Sequence, residues 1–402
     1  ACVCDQAGIG TAGWGQSLRV TPDGAYDATY PDTWAGATTW TSTPSNRLLI
    51  EAGFMLRNEK NGSSGPRPAE GDPTLGLIPV FDFGTGFGYH GRLPVVSTIY
   101  SFFSTVQPQM RASVSYVTGT HSFKVGFNHL YAGTSRYDTD NNHNLRYFLY
   151  NGFPFSIVQS AAPYHENMRQ SESGIYAQDV WTIDRLTLNL GVRFDRYRTT
   201  APPMVFGPGP LTPDRNFTTP ELDHYNQKDI TPRASAVYDL FGDGRTAIRV
   251  SMNKYVQGHS VDIWDGNPAE LITRNPGRDW VDGNFNMTAD CDLSNPAAQG
   301  PAGYAALGSG TDYCGPIPSD WGQAVFTPNT RFNPDTISGW GNRGWNWEFS
   351  TGVQHELMQG VSLDVGYYRK IFGNLLAINN EAFGPELFDT YTLTAPTNAG
   401  LP

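Results

Sequence analysis

Apolar and polar residues alternate along several segments of the chain. In the stretch RLTLNLGVRFDRYR, residues 185–198, every second position is apolar: Leu186, Leu188, Leu190, Val192 and Phe194. The positions between them are polar or small and include Arg193 and Asp195. The same alternation occurs within residues 47–57, 122–131, 345–357 and 361–371. A period of two is typical of strands with two different faces, and helical spacing fits none of these segments.

The connections between the predicted strands alternate between short and long. We expect strand pairs at about 34–57, 108–133, 168–198, 230–257 and 346–374, each joined by a short turn. Long connections follow at about 58–93, 134–167, 199–229, 258–344 and 375–402. Residues 145–158 also have strand character, and we place them as a hairpin within a long connection. Because every second connection is long, all the long connections lie at the same end of the strands in an up-and-down sheet.

This layout predicts an all-β fold, a transmembrane antiparallel up-and-down β-barrel with short periplasmic turns and long extracellular loops. About 9 to 11 tilted residues cross a bilayer, which fits the predicted strands. We interpret residues 1–402 as part of a single barrel domain with about ten strands. A soluble β-sandwich or propeller would explain the strands, but not the unequal connections or the tryptophans and tyrosines near the strand ends.

Energetics decide which face meets lipid. An arginine on the lipid face near the bilayer midplane costs roughly 2–4 kcal/mol. Burial of each large apolar side chain contributes about 1.5–3 kcal/mol. The alternate apolar residues from Leu186 to Phe194 should therefore face lipid. Arg193 and Asp195 should face the lumen. We expect the lumen charges to form cross-strand ladders and not a substrate site; they are Arg193, Asp195, Arg233, Asp239 and Arg249.

Composition narrows the possible partners. The 402 residues carry a net charge of −11, with 16% charged and 13% aromatic residues. An acidic chain is a poor partner for nucleic acid, since phosphate binding needs a basic face. No apolar run is long enough for a transmembrane helix, and no signal peptide is visible at residue 1. We expect that a leader was removed or that the segment begins inside a longer polypeptide.

The four cysteines form two local pairs. Cys291 and Cys314 flank a polar, glycine-rich stretch, which predicts a loop disulfide in an oxidising compartment, with free thiols as the alternative. Cys2 and Cys4 are too close for an easy mutual bridge, and their pairing stays open.

Three hairpins carry a resemblance to a known family. They are SGIYAQDVWTIDRLTLNLGVRFDRY (173–197), DITPRASAVYDLFGDGRTAIRVSMNKYV (229–256) and WTSTPSNRLLIEAGF (40–54). They resemble TonB-dependent outer-membrane receptors, most closely the Oar-like subgroup with an N-terminal carboxypeptidase-regulatory-like domain. The resemblance implies a barrel of about 22 strands around a plug. It also implies energised import of a bulky ligand, of siderophore, oligosaccharide or peptide type.

The chain departs from that family pattern in three ways. No TonB box or plug-like segment precedes the first strand, about ten strands can be counted, and TYTLTAPTNAGLP lacks a terminal aromatic strand. We therefore expect an internal part of a longer receptor. Its partners would be outer-membrane lipid, an unidentified ligand, and TonB through a missing N-terminal region.

Catalysis and cofactors find little support. The eight histidines are scattered, and no metalloprotease, serine-hydrolase or phosphate-loop motif is present, so we expect no enzyme and no catalytic residues. A serine–histidine–acid arrangement across strands stays open. Asp138, Asp140, Asn142 and Asn144 offer hard oxygen ligands, but the stretch lacks the glycine and glutamate of an EF-hand loop. A solvated loop is therefore favoured over loop calcium, and no other cofactor is expected.

Four tryptophans in the 258–344 connection are candidates for ligand contact, because aromatic faces beside amides suit sugars, peptides or chelates. They are Trp264, Trp280, Trp321 and Trp340. The alternative is that they only pack the connection into an ordered cap. The sequence thus favours a receptor-transporter. The alternatives are a surface barrel for adhesion or assembly and, third, a passive porin.

Overall fold

The computed structural model describes residues 19–20, 23, 33–61, 70–90, 100–258, 267–324, 332–389 and 392. Strands dominate these residues. In chain order they are β1 (Arg19–Val20), β2 (Trp34–Ser45), β3 (Leu48–Asn61), β4 (Val80–Asp82), β5 (Phe87–Tyr89), β6 (Tyr100–Thr118), β7 (His121–Thr139), β8 (Leu145–Tyr150), β9 (Phe153–Gln159), β10 (Tyr164–Ile183), β11 (Leu186–Ala201), β12 (Val205–Phe206), β13 (Phe217–Thr218), β14 (Leu222–Asp239), β15 (Thr246–Val256), β16 (Gly277–Val281), β17 (Tyr313–Cys314), β18 (Ser338–Trp340), β19 (Trp345–Met358) and β20 (Val361–Gly373). Short helical turns occur at Pro73–Gly76, Pro268–Leu271, Gly303–Ala306, Pro334–Ile337 and Pro385–Leu387. None of the helices in the described ranges is long and apolar enough to cross a membrane.

Ten long strands form one antiparallel up-and-down sheet, in the order β2-β3-β6-β7-β10-β11-β14-β15-β19-β20. The short strand β18 adds to this sheet beside β14, running parallel to it. The predicted all-β, antiparallel up-and-down fold is confirmed. Within the described part of the chain, β2 pairs only with β3 and β20 only with β19, so the sheet has two open edges.

Short turns join these strands in pairs, and all of these turns lie at the same end of the strands. Asp184 adopts a positive φ of 47° in the turn between β10 and β11, and Gly360 one of 83° between β19 and β20. Between β14 and β15, the Asp239 carboxylate accepts hydrogen bonds from the backbone N–H groups of Gly242 and Gly244, both at 2.9 Å. These turns set the register of each hairpin.

The outer face of the sheet is apolar across its middle. Directly paired residues point to the same face, so the register from Phe127 through Ile175 and Phe194 to Ile230 defines one row on that face. Its members are unusually exposed for apolar residues: Ile175 and Ile230 are each 53% accessible, and Val192 is 49% accessible. We call this surface, between the short turns and that row, the apolar band. It is the predicted lipid-facing surface.

The inner face is polar and charged. Lys124 contacts Glu51 at 2.9 Å, and Arg193 binds Asp195 through contacts of 2.6 to 2.8 Å. Lys370 contacts Glu348 at 2.6 Å. Gly126 lies beneath the Tyr176 ring, where any Cβ would collide with the phenol. Of the charges expected to form cross-strand ladders, Arg249 contacts Asp364 on β20, whereas Arg193 and Asp195 pair within β11 and Asp239 caps the β14–β15 turn.

At the opposite ends of the long strands, the long connections and the short strand β1 fold together into a second structure, which we call the cap (residues 19–20, 70–90, 140–163, 202–221 and 267–324). Its main sheet has seven strands in the order β1-β5-β4-β8-β9-β16-β17. The predicted hairpin at 145–158 is its β8–β9 pair. A hydrophobic core lies against this sheet and contains Val80, Leu145, Tyr147, Leu149, Ile157, Trp280 and Cys314.

Several membrane strands are longer than the alternation predicted. Strands β6, β7 and β14 extend six to eight residues further toward the cap than predicted. Strand β10 extends four residues further. Beyond the apolar band the cap covers the inner face. Polar residues on the inner face of these strand extensions, such as Glu166 and Thr199, are therefore buried. The hydrogen-bonded pairing continues where the hydrophobic alternation has ended.

Candidate ligand-binding cap and lumen

A cluster of charged residues, with Asp138 and Glu166 buried at its centre, ties the longest connection to the strands beneath it. Arg136 binds Asp138 at 2.8 Å and contacts Glu166 at 3.4 Å. From the cap, Arg274 contacts the same Asp138 at 3.2 Å and Glu270 at 3.5 Å. We call these five residues the cap cluster. It joins β7 and β10 to residues 270–274.

Burial sets the protonation of the cap cluster. Burial, and then a hydrogen bond to Glu270 and its charge, raise the pKa of Glu166 to about 8. At neutral pH the Glu166 carboxyl is therefore largely protonated. The Tyr164 ring lies 4.0 Å from the Arg274 guanidinium, and burial raises the pKa of its hydroxyl. The cluster is thus held by two arginines, with one carboxyl neutral.

A second buried ion pair fixes the other end of the same connection. Arg343 binds Asp229 on β14 at 2.8 Å, and both side chains are 1% accessible. Its guanidinium also lies 6.0 Å from the centre of the Tyr197 ring. Removing one partner of a buried pair leaves an uncompensated charge, so this contact holds residues 341–345 firmly against the inner face.

The predicted disulfide between Cys291 and Cys314 is present in the cap core. Cys2 and Cys4 lie outside the described residues. Cys314 belongs to β17, whose partner β16 carries Trp280. The disulfide therefore links Cys291 to β17, which pairs with β16 in the cap core.

The three candidate tryptophans that the structure describes do not form a common ligand-facing surface. Trp280 is fully buried, donates its indole N–H to Asp312 at 3.0 Å and packs 4.6 Å from the Tyr147 ring. Trp321 is buried beside Ala161 and Ile317. These two tryptophans correct the expectation of ligand contact: a large apolar ring with one N–H is more stable in a core than in water.

The other two tryptophans differ. Trp340 is 59% accessible, but it lies on the outer face, where its ring is 5.7 Å from that of Phe194. It too is placed away from the lumen, because the register of β18 puts it beside Lys228 on the outward side. Trp264 lies outside the described residues.

The candidate calcium ligands are separated by arginines. Asp138 belongs to the cap cluster, whereas Asp140 binds Arg146 at 3.2 Å. Burial raises the pKa of Asp140. Asn142 is exposed, and its backbone N–H donates to Leu75. In the ranges that the structure describes, no group of three or more His, Cys, Asp or Glu side chains is placed to hold a metal ion. The arrangement does not favour calcium at 138–144.

The tip of the β8–β9 hairpin presents aromatic residues that sequence reasoning missed. Tyr150 and Phe153 are 61% and 70% accessible, on either side of an Asn151–Gly152 turn. Asp82 holds this turn, accepting the N–H groups of Asn151 at 2.8 Å and Gly152 at 2.7 Å. The Asn-Gly pair between aromatic residues in LRYFLYNGFPFSIV was the available signal, since Asn-Gly favours a two-residue hairpin turn.

A basic groove crosses the inner face below the cap. It has a volume of about 320 Å³ and is lined by Lys124, Tyr176, Gln178, Arg193 and Arg233, with Gly191 at its floor. The Arg233 guanidinium lies 4.8 Å from the Tyr255 ring. Such a groove can hold hydrogen-bond acceptors or anionic groups that pass through the lumen.

Two histidines on the outer face each contact a polar side chain on the neighbouring strand. His121 contacts Asp179 at 2.7 Å, and His129 contacts Ser173 at 2.8 Å. Eight residues of β7 separate the two histidines, which corresponds to roughly 26 Å along a strand. The histidine–acid and histidine–serine contacts are therefore two separate pairs and do not combine into a catalytic triad.

Comparison with known proteins identifies one family. The family described as "Outer membrane beta barrel domain" matches residues 15–386. No curated protein matches the chain.

Several solved structures are similar to the chain at low identity. The ferric yersiniabactin uptake receptor FyuA from Yersinia pestis has a TM-score of 0.39 and 8% identity, with 87% of this chain and 45% of that chain covered. The outer membrane transporter YddB from Escherichia coli has a TM-score of 0.36 and 11% identity, covering 84% and 42%. The siderophore receptor PiuA from Acinetobacter baumannii has a TM-score of 0.33 and 11% identity, covering 89% and 50%. The chain spans half or less of the length of these structures.

Proposed function

The chain belongs to the outer-membrane β-barrel domain family, and from that premise we propose that it forms the wall and outer cap of a receptor that imports a ligand. The protein lies in the outer membrane, where its apolar band meets lipid. We propose that the short turns face the periplasm and the cap faces the cell exterior. This orientation follows the common arrangement of outer-membrane barrels.

The ordered cap is the observation that supports the proposal. A passive pore needs only a polar lumen, whereas here the long connections share one hydrophobic core and one sheet. The cap cluster attaches this structure to the cap-side ends of the strands, and the Arg343–Asp229 pair fixes the segment that follows the cap against β14. A structured cap above a polar inner face supports ligand capture first and passage through the lumen afterwards.

The finer features of the function are part of the same proposal. We propose a bulky ligand of siderophore, oligosaccharide or peptide type, and energy coupling to TonB through a plug formed by residues outside this chain. Membership of the Oar-like subgroup is likewise proposed, on the three hairpins at 40–54, 173–197 and 229–256. In the basic groove, Lys124 and Arg193 are paired with Glu51 and Asp195, and the Arg233 guanidinium would offer N–H donors to oxygen atoms of the ligand.

A second candidate function is surface binding without transport. The exposed Tyr150 and Phe153 favour it, because rigidly held aromatic side chains are effective contacts in protein interfaces. Adhesion or assembly would use the cap tip alone and would not involve the lumen.

Energised uptake separates the two candidates. Cells that express the full-length protein are given a labelled ferric chelate, oligosaccharide and oligopeptide, with and without a protonophore. We expect accumulation of one class that stops when the proton-motive force is removed. Surface binding of a probe that is unaffected by the protonophore, with no accumulation of any class, would contradict the proposal and support the second function.

A cross-link across the cap cluster tests whether the cap must move. In a Glu166→Cys/Glu270→Cys variant, a reversible bis-thiosulfonate cross-linker should stop uptake, and a reductant should restore it. The single variant Glu270→Cys with the same treatment is the matched control. Uptake that continues at the normal rate with the cross-link in place would show that the cap need not open at this point.

A further inference from the structure

A group of basic side chains lies on the outer face of the sheet, immediately beyond the apolar band. Arg196 follows Phe194 by two residues on β11, and Lys228 precedes Ile230 by two residues on β14. Because alternate residues share a face, both cations point outward, as the band does. Arg198 and, on β10, Arg169 continue the same outward positions. We call Arg169, Arg196, Arg198 and Lys228 the basic patch.

The basic patch places like charges directly opposite each other. Arg196 and Lys228 are paired residues on adjacent strands. Like charges at such positions are destabilising unless something compensates them. Within the described residues, Arg196 donates only to the amide oxygen of Asn226, at 3.2 and 3.3 Å. Lys228 lies 5.7 Å from the Trp340 ring centre.

Carboxylates compensate only one side of the patch. Arg198 binds Asp223 at 2.9 Å and lies near Glu221. Over the described residues, no ion pair joins Arg169, Arg196 or Lys228 to a carboxylate. The outward positions of β7 beside them carry His129, Tyr131, Gly133, Ser135 and Tyr137. A positive surface of this kind is unexpected on a chain whose net charge is −11.

The position of the patch relative to lipid identifies the kind of partner. Trp340 lies against Phe194 at the upper limit of the band and beside Lys228. Exposed tryptophans next to a lipid-facing surface mark the level of the headgroups. The cations therefore lie where the headgroups of the cap-side leaflet would contact the protein. His129 and Ser173, which hydrogen-bond to each other at 2.8 Å, add polar atoms at the same level.

We propose that the basic patch binds the phosphate groups of lipid headgroups with a net negative charge in the cap-side leaflet. Side chains opposite each other on adjacent strands are about 5 Å apart at Cβ, so one phosphate can contact both Arg196 and Lys228. An arginine guanidinium matches the geometry of phosphate oxygens through paired N–H donors. A bound phosphate also removes the repulsion between the two cations. The proposal depends only on the outer face and is independent of ligand import.

Lipid retention by the purified protein tests this proposal. The full chain is incorporated into phosphatidylcholine vesicles with and without phosphatidic acid, extracted, and its bound lipid is measured by mass spectrometry. We expect preferential retention of phosphatidic acid. In Arg169→Gln/Arg196→Gln/Lys228→Gln the affinity should fall by about 100-fold, since each cation near an anionic surface contributes roughly a factor of five.

Matched variants control for charge and folding. The variant Arg47→Gln/Arg185→Gln/Arg245→Gln removes three cations from the short-turn edge and should retain the lipid as the wild type does. A charge-preserving variant, Arg169→Lys/Arg196→Lys/Lys228→Arg, should keep most of the binding. Heat-modifiable electrophoretic mobility reports whether each variant is folded.

Three results would overturn the proposal. They are equal retention of phosphatidylcholine and phosphatidic acid by the wild type, equal losses in the two triple glutamine variants, and displacement of the lipid by inorganic phosphate at the same concentration. The last would assign the patch to a free anion and not to a headgroup.

Discussion

Asp82 illustrates how one buried carboxylate orders a surface feature. Its Oδ1 atom accepts N–H groups from Gly84, Thr85 and Asn151, and its Oδ2 atom accepts that of Gly152. Burial alone would raise the pKa of Asp82, but the four backbone donors together lower it below its ordinary value. The hairpin tip that carries Tyr150 and Phe153 is therefore preorganised by a residue on a different strand.

Replacement of Asp82 by Asn should loosen this tip. The new amide group would place a donor against one of the N–H groups, and an unsatisfied buried donor costs about 1–3 kcal/mol. We expect faster hydrogen exchange at Asn151 and Gly152 and no change in the long strands. Replacement of the exposed Asp243 by Asn is the control. Unchanged exchange at 151–152 would show that the turn is stable without Asp82.

Glu166 should make the attachment of the cap depend on pH. Its pKa of about 8 in the folded protein is above its ordinary value of 4.5, so the folded state binds more protons than the unfolded state between these values. Stability therefore falls as pH rises through this window, by at most about 1.4 kcal/mol per pH unit. Hydrogen exchange of residues 267–274 measures it.

The variant Glu166→Gln should remove most of that pH dependence, because an amide does not titrate. Glu221→Gln, at an exposed position of the cap, should leave it unchanged. If the wild type and Glu166→Gln showed the same dependence on pH, another group would have to control the attachment.

At the scale of single residues, the sequence predicted the disulfide bond but not the residues that surround the buried aspartates and Trp280. The spacing of Cys291 and Cys314 was sufficient to predict their bond. The sequence could not show that Asp138 and Asp140 would meet different arginines, because Arg274 is 136 residues from Asp138. It also could not decide between the two roles of Trp280, since its partner Asp312 lies 32 residues further along the chain, just before β17.

The faces of the membrane strands give a test at the scale of the element. Leu190 is 47% accessible in the apolar band, and the adjacent Asn189 faces inward and donates to Ser235 at 3.1 Å. Leu190→Arg should destabilise the folded barrel in vesicles by about 2–4 kcal/mol. Asn189→Arg should cost much less, since its charge remains in a polar lumen.

Urea unfolding of the vesicle-inserted protein measures both variants. Equal destabilisation by the two arginines would mean that the faces of β11 are not divided between lipid and lumen. A larger loss for Asn189→Arg would reverse the assigned faces.

The cap should depend on its disulfide more than the barrel does. The bond joins residues 23 positions apart, and closing a loop of this size contributes about 3 kcal/mol. In Cys291→Ser/Cys314→Ser we expect faster hydrogen exchange in β16 and β17 and unchanged exchange in β10 and β11. The control is Cys2→Ser/Cys4→Ser. If the exchange of β16 and β17 stayed slow, packing around Trp280 alone would hold the cap core.

The sequence predicted the elements in the membrane more fully than those above it. Lipid on one side and a polar lumen on the other impose a strict alternation, so the ten long strands were visible. Residues 100–107, 134–139 and 222–229 were missed, because their inner positions are covered by the cap and alternation no longer distinguishes the faces. Cap strands as short as β4 and β5 depend on neighbours far away in the sequence.

For the whole molecule, the two open edges of the long sheet require partners. In hydrocarbon, each unsatisfied backbone N–H or C=O group costs several kcal/mol, so lipid cannot cover the free edges of β2 and β20. We predict that in outer membranes the backbone amides of 34–45 and 361–373 exchange as slowly as those of β10 and β11. Hydrogen exchange on native membranes, with the exposed segment 381–389 as a fast-exchanging reference, measures this. Rapid exchange along both edge strands would show that they are not paired in the membrane.

The shared architecture of the cap bears on how outer-membrane barrels with such caps could be re-engineered or diversify. Strands from three separate connections, at 70–90, 145–159 and 277–314, pair within one sheet, and their side chains meet in one core. A graft of a single connection from a relative would therefore lack the surfaces that it must match. Recombination that exchanges the cap should succeed only when these connections are transferred together, as one inherited module on an unchanged set of membrane strands.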